Sequence, residues 1–209
     1  MLDLPNLLQS LAVERPVFHS EADFQLALAW EIKRRVPTCD IRLEKCVPFL
    51  NRRRYVDIWI TKGNQIVAIE LKYPTRLRTL ESNGEQFELR DHSAEDCGRY
   101  DFLKDIVRLQ GLVAAGVANA GYALLLTNDP SYWSPPIQKG QSDELFRIHH
   151  GRELSGEVAW GPSASPGTTK GREASLTILG EHKLTWENYS SFSIRNGKFR
   201  YLLIQVGPL

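Results

Sequence analysis

Apolar and polar positions along the chain alternate between two periods, and the switches mark the elements. In "HSEADFQLALAWEIKRRV", residues 19–36, Phe24, Leu28 and Ile32 recur at helical spacing with Ala27 beside them. Ser20 precedes the run as an N-cap with Asp23 three residues on, a variant of the capping box, and Pro37 stops it. "DIRLEKCVPF" puts Ile41, Leu43 and Val47 on alternating positions, a strand ending near Pro48. "YVDIWITKGNQIVAIELKY", residues 55–73, is two β-branched, aromatic-rich runs joined by Lys-Gly-Asn, and predicts a hairpin. The polar, acidic stretch from Pro74 to about Gly98 predicts a loop or irregular insertion. "RYDFLKDIVRLQGLVAAGV" then returns to helical period, with Phe102, Ile106, Leu109 and Val113 on one stripe and Asp101, Lys104, Asp105 and Arg108 on the other. "GYALLLTND" is nearly continuous in apolar residues, as a buried central strand is.

The order αβββαβ predicts an α/β (α+β) fold with a mixed central sheet flanked by helices, occupying residues 19–130 after an N-terminal segment 1–18. Beyond it, "WSPPIQKGQ" and "GPSASPGTTKG" are loop-like, while "EVAW", "SLTIL", "HKLTW" and "KFRYLLIQV" are strand-like. Residues 131–209 are therefore expected to add strands and loops to the same domain.

Composition narrows the classes. No stretch of the 209 residues approaches the roughly 20 apolar residues of a bilayer span. "MLDLPNLLQSLA" has an early acid and no basic region, unlike a secretion signal. Cys39, Cys46 and Cys97 are odd in number and lack CxxC spacing, which disfavours a disulfide scaffold or zinc ribbon and makes a reducing, cytoplasmic setting the expectation. Net charge is only +1, but it is unevenly spread. Residues 31–54 hold eight basic side chains against three acidic, a balance of +5, and residues 81–101 hold seven acids against Arg90 and Arg99. Such polarity lets one face meet a polyanion, although two solvated surfaces explain it as well.

The hairpin carries the chemistry. With Gly63-Asn64 as a type II′ turn, Lys62 pairs with Gln65 and Asp57 falls opposite Glu70, with Lys72 on the same face. Val56, Ile58, Ile60, Val67, Ile69 and Leu71 form the apolar face; Tyr55, Asp57, Trp59, Ala68, Glu70 and Lys72 form the other. Two carboxylates about 5 Å apart at an effective dielectric near 20 repel by roughly 3 kcal/mol. A divalent cation removes that penalty, and a lysine beside it suits a phosphate ester. A surface hairpin in which Lys72 merely pairs with an acid is the plain alternative.

Asp57, twelve intervening residues, then Glu70-Leu71-Lys72 resembles the PD-(D/E)XK nuclease superfamily, whose restriction-endonuclease-like core has the same αβββαβ order. The resemblance spans roughly residues 19–129, and Val56 stands where the family often has proline. It implies that Asp57 and Glu70 bind metal, that Lys72 orients or helps deprotonate the attacking water, and that Glu21 completes the metal site, with Gln25 one turn on in support. The implied activity is Mg²⁺-dependent endonucleolytic hydrolysis of phosphodiester bonds in DNA, with Mn²⁺ as substitute, in restriction, defence or repair. The nucleic-acid contacts it suggests are Arg52, Arg53 and Arg54 at the tip before the Asp57 strand, Arg76 and Arg78 after the Lys72 strand, and Lys104 and Arg108 on the following helix. Tyr73 and Trp59 are read as packed aromatics rather than base-stacking platforms. Enzymes of this kind often dimerise, so a homodimer is a further expectation. A catalytically silent nucleic-acid-binding module on the same scaffold, or a subunit of a larger restriction system, is the alternative.

Overall fold

The structure, a computed structural model, describes residues 2–49 and 52–207; the side chains of residue 49 and residues 52–54 lie outside what it describes. Helix α1 (Leu4–Glu14) comes first, started by Asp3, whose carboxylate accepts the Asn6 N–H at 3.2 Å. Leu4, Leu7, Leu8 and Leu11 occupy one helical face and are buried. The sequence reading leaves residues 1–18 as an undifferentiated segment; their leucine spacing is helical throughout. Helix α2 (Glu21–Arg35) is capped as expected, the Ser20 hydroxyl accepting the Asp23 N–H, and buries Phe24, Leu28 and Ile32.

Strands β1 (Asp40–Phe49), β2 (Arg52–Lys62) and β3 (Gln65–Lys72) follow. Gly63 takes φ 57° while Asn64 stays out of the left-handed region, the pattern of a II′ turn. The β2–β3 register is the expected one, from Lys62 with Gln65 to Ile58 with Ile69. There the ladder stops, so Asp57 and Glu70 are not paired across it.

The segment predicted to be irregular folds a second hairpin, β4 (Arg78–Ser82) and β5 (Glu85–Leu89). Its turn is Asn83-Gly84, both at positive φ (51° and 78°), as a type I′ turn requires. Leu80, Phe87 and Leu89 point into the core. Helix α3 (Glu95–Ala114) starts four residues before the predicted Arg99, and β6 (Ala120–Thr127) is buried along nearly its whole length.

The last third contributes β7 (Glu153–Val158), β8 (Leu176–Lys183), β9 (Trp186–Ser191) and β10 (Lys198–Val206). "SLTIL" and the start of "HKLTW" are thus one strand, and Trp186 begins the next. The central sheet has six strands in the order β1-β2-β3-β6-β10-β9, parallel only between β3 and β6. β7 and β8 form a separate pair, tied to α3 by Gln110, whose amide donates to Leu179 O at 2.7 Å and accepts Leu179 N–H at 3.1 Å.

Both faces of this mixed sheet are covered. One packs under α1 and α2 with Ile58, Ile60, Ile69 and Leu71. The other packs under α3 with Val56, Trp59, Ala68, Ala123 and Leu125. The hairpin face expected to be polar is therefore core, and Val56 sides with Trp59 rather than with Ile58. Among the described residues no helix is long and apolar enough to cross a membrane.

Candidate active site

The N-terminus of α2 meets the C-terminal end of β3. Glu21, first residue of the helix, stands at the rim with its carboxylate partly buried, accepting the Tyr73 N–H at 2.7 Å. One turn on, the buried Gln25 amide donates to the Asp57 carbonyl and to Glu44 Oε1, each at 2.8 Å. Glu44 stands across β1 from Asp57 and has a left-handed backbone (φ 47°), an uncommon state for a non-glycine residue. Past the end of the ladder the Asp57 carboxylate turns along the gap and accepts the Leu71 N–H at 2.6 Å.

Covering this end from the other face, α3 supplies Asp105 and Arg108. Lys72 Nζ lies 2.8 Å from Asp105 Oδ2. Arg108 Nη2 contacts Glu70 Oε2 and, at 3.2 Å, Asp105 Oδ1. Glu70 is only 1% exposed, and neither of its oxygens accepts a well-formed hydrogen bond among the described residues. Glu21, Asp57, Glu70 and Asp105 thus crowd around two cations, Lys72 and Arg108, leaving a charge of −2 when all six are ionised.

The crowding is visible in protonation. Burial, then Asp105, push Glu70 up to about 9 against the pull of Arg108. Burial also raises Asp57, although the Leu71 N–H and Lys72 favour its charged form. Burial raises Glu21 in the same way. For Lys72, burial works toward loss of the proton, but Asp105, Glu21 and Asp57 outweigh it and hold the ammonium well above its ordinary value. Lys72 is a fixed cation here.

The expected metal ligands Asp57, Glu70 and Glu21 sit at one end of the sheet, but each is engaged with a protein group: Leu71 N–H, Arg108 and Tyr73 N–H respectively. Among the described residues no three His, Cys, Asp or Glu side chains stand in a ligand arrangement, so metal binding requires these carboxylates to turn. The donor set nevertheless fits a hard dication: every donor is oxygen, the local charge is −2 with all six groups ionised, and neither buried Glu70 oxygen accepts a well-formed hydrogen bond.

The expected nucleic-acid contacts divide. Arg52, Arg53 and Arg54 carry their side chains outside the described residues. Arg76 is enclosed by carboxylates, Asp129 at 3.0 Å, Glu95 at 2.5 Å and Asp91 at 3.7 Å, and pins the strand exit to the end of β6. Arg78 donates to the Arg195 carbonyl at 2.8 Å. Lys104 is exposed and forms no ion pair among the described residues, whereas Arg108 turns inward. Trp59 and Tyr73 are packed, the latter's hydroxyl donating to Phe18 O at 3.1 Å. A cleft of about 660 Å³ opens from Glu21 and Lys72 toward Arg90, Ser93 and Arg172.

Asp105 is the site residue that periodicity hides. Assigned to a solvated stripe with Lys104, it is only 8% exposed. Its i,i+3 partnership with Arg108 is the signal that marks it. Compared with known proteins, the chain matches no family model, no curated protein and no solved structure.

Proposed function

We propose that the protein is a metal-dependent nuclease hydrolysing phosphodiester bonds, with DNA as substrate, on a restriction-endonuclease-like αβββαβ core made of α2, β1, β2, β3, α3 and β6. The observation that carries this reading is the cluster of Glu21, Asp57, Glu70 and Asp105 about Lys72, with Glu70 buried and short of donors. A protein with no use for such a cluster gains nothing from four acids at one strand end, since each raises the cost of ionising the others.

Glu70 and Asp57, with Glu21 at the rim, are the groups to hold Mg²⁺ or Mn²⁺. A bound ion would supply charge neutralisation at the phosphate and acidify its water. Lys72, held as a cation by Asp105, donates to a phosphate oxygen and stabilises the growing negative charge. It does not serve as the base. That role falls to a carboxylate with raised pKa: Glu21, at the rim of the cleft, fills it when Asp57 and Glu70 alone hold the ion. The cleft beside Lys72 gives the strand its approach.

The engagement of Asp57 with Leu71 N–H and of Glu70 with Arg108 favours a second reading, a silent nucleic-acid-binding module whose acids are satisfied internally. Calorimetric titration of Mg²⁺ and Mn²⁺ into the wild type and Asp57→Asn, then incubation of both with supercoiled and single-stranded DNA, separates them. The nuclease reading expects binding and nicking in the wild type and loss of both in the variant. DNA binding without metal uptake or cleavage in the wild type would establish the silent module instead.

A further inference from the structure

Arginine–carboxylate pairs in this molecule differ in how well they fit. Arg172 meets Asp101 side-on, Nε to Oδ1 at 2.9 Å and Nη2 to Oδ2 at 2.6 Å, the fitted geometry of a structural bridge. Arg108 differs. A single nitrogen, Nη2, is shared by two carboxylates, Glu70 and Asp105, and Glu70 gains no well-formed hydrogen bond from it among the described residues; its Nε, like those of Arg99 and Arg147, is buried without an acceptor. The guanidinium supplies charge to Glu70 and little else.

We propose that Arg108 is a built-in place-holder for the metal ion: its guanidinium occupies the place beside Glu70 while the metal is absent, and the arriving dication displaces it onto Asp105. This rests on the metal-dependent reading of the site. Three features make the exchange possible. Arg108 keeps 22% of its side chain exposed, against 1% for Glu70, so the cation has a way out and the carboxylate does not. Asp105 Oδ1 already lies 3.2 Å from Nη2, so the displaced guanidinium has a receiving partner one turn away on its own helix. Charge also balances: with the guanidinium kept nearby on Asp105, an added dication brings the six ionised groups from −2 to zero.

Arg108 is then a positioning residue, and metal uptake is a competition against it. The test is calorimetric titration of MgCl₂ alone, without nucleic acid, into the wild type, Arg108→Met and Asp105→Asn, with thermal unfolding of each at zero and saturating Mg²⁺. Removing the competitor should tighten Mg²⁺ binding by about tenfold or more. It should also lower the melting temperature without metal and enlarge the rise that Mg²⁺ produces. Asp105→Asn, which takes away the receiving carboxylate, should weaken Mg²⁺ binding, and keeps the proposal testable if Arg108→Met fails to fold. Mg²⁺ binding to the wild type with unchanged or weaker affinity in Arg108→Met would overturn the exchange and leave the metal site standing. Absence of Mg²⁺ binding in all the proteins would overturn both.

Discussion

At the scale of single residues, the protonation of Glu70 links stability to pH in a defined direction. Its folded pKa, about 9, lies above the 4.5 of an unperturbed glutamate. The folded chain therefore holds a proton that the unfolded chain releases, and stability falls as pH rises between these values. Asp57 and Glu21 shift the same way. His149, with its pKa lowered below 6.5, pulls oppositely only on the acid side, and the Cys39 and Cys97 thiols, raised from 9.0 by burial, add to the fall only at higher pH, so the window from pH 7 to 8 reports mainly on the carboxylates. Denaturant unfolding without metal should show the wild type losing stability across that window by about 1 kcal/mol or more, the size of a one-unit difference in pKa. Glu70→Gln should flatten the slope; an equally steep slope in that variant would place its origin elsewhere. Four of the six charged residues of this site are legible in the sequence. Asp57, Glu70 and Lys72 declare themselves because charged residues interrupt apolar strands, and Glu21 because a capped helix begins there. Asp105 is hidden, and Arg108 is expected there only as a nucleic-acid contact, since a polar stripe on a helix has the same pattern whether it faces water or a buried acid.

At the scale of elements, legibility follows how strongly a local rule binds. The β2–β3 register could be read to the residue because a Gly-Asn turn and a strict period of two leave one solution. The β4–β5 hairpin has an equally good turn in Asn83-Gly84, yet its flanks carry Glu81, Glu85, Gln86 and Glu88 on the solvent side, and the acidic composition masks the alternation of Leu80, Phe87 and Leu89. The hairpin packs beside the candidate site: Phe87 stacks on His19 at 4.3 Å, immediately before the Ser20 cap of α2. Phe87→Ala should cost about 3–5 kcal/mol, the range for truncating a buried aromatic, measured by denaturant melts. Because His19 leads into Glu21, the same variant should weaken metal binding more than a core truncation at the far end, such as Leu8→Ala, which removes a buried leucine of α1. Equal metal affinity in the two variants would show that the hairpin does not support the site.

At the scale of the whole molecule, the last third of the chain is part of the sheet rather than an appendage to it. β10 pairs along β6 from Arg200–Thr127 to Val206–Gly121 and itself carries β9. Tyr189 and Ser190, on β9, donate hydrogen bonds to the carbonyls of Arg15 and Pro16, so the sheet's far edge holds the connection between α1 and α2. Arg76 and Asn128 tie the exit of β3 to the end of β6, and Asn128 also donates to Asn196 O at 3.0 Å in the β9–β10 turn. A chain ending at residue 130 would keep every element of the αβββαβ order and every acid of the site. It would also turn β6, buried on both faces, into an unpaired edge bearing Leu124, Leu125 and Leu126, which invites aggregation. The core would lose Phe199, Tyr201, Leu202 and Ile204 as well. Residues 1–130 expressed alone should therefore lack a cooperative thermal transition and associate during gel filtration, while the full chain melts in one step. A cooperative melt of the monomeric fragment would mean that β6 tolerates an open edge, and that the C-terminal strands serve the site or a partner rather than the fold.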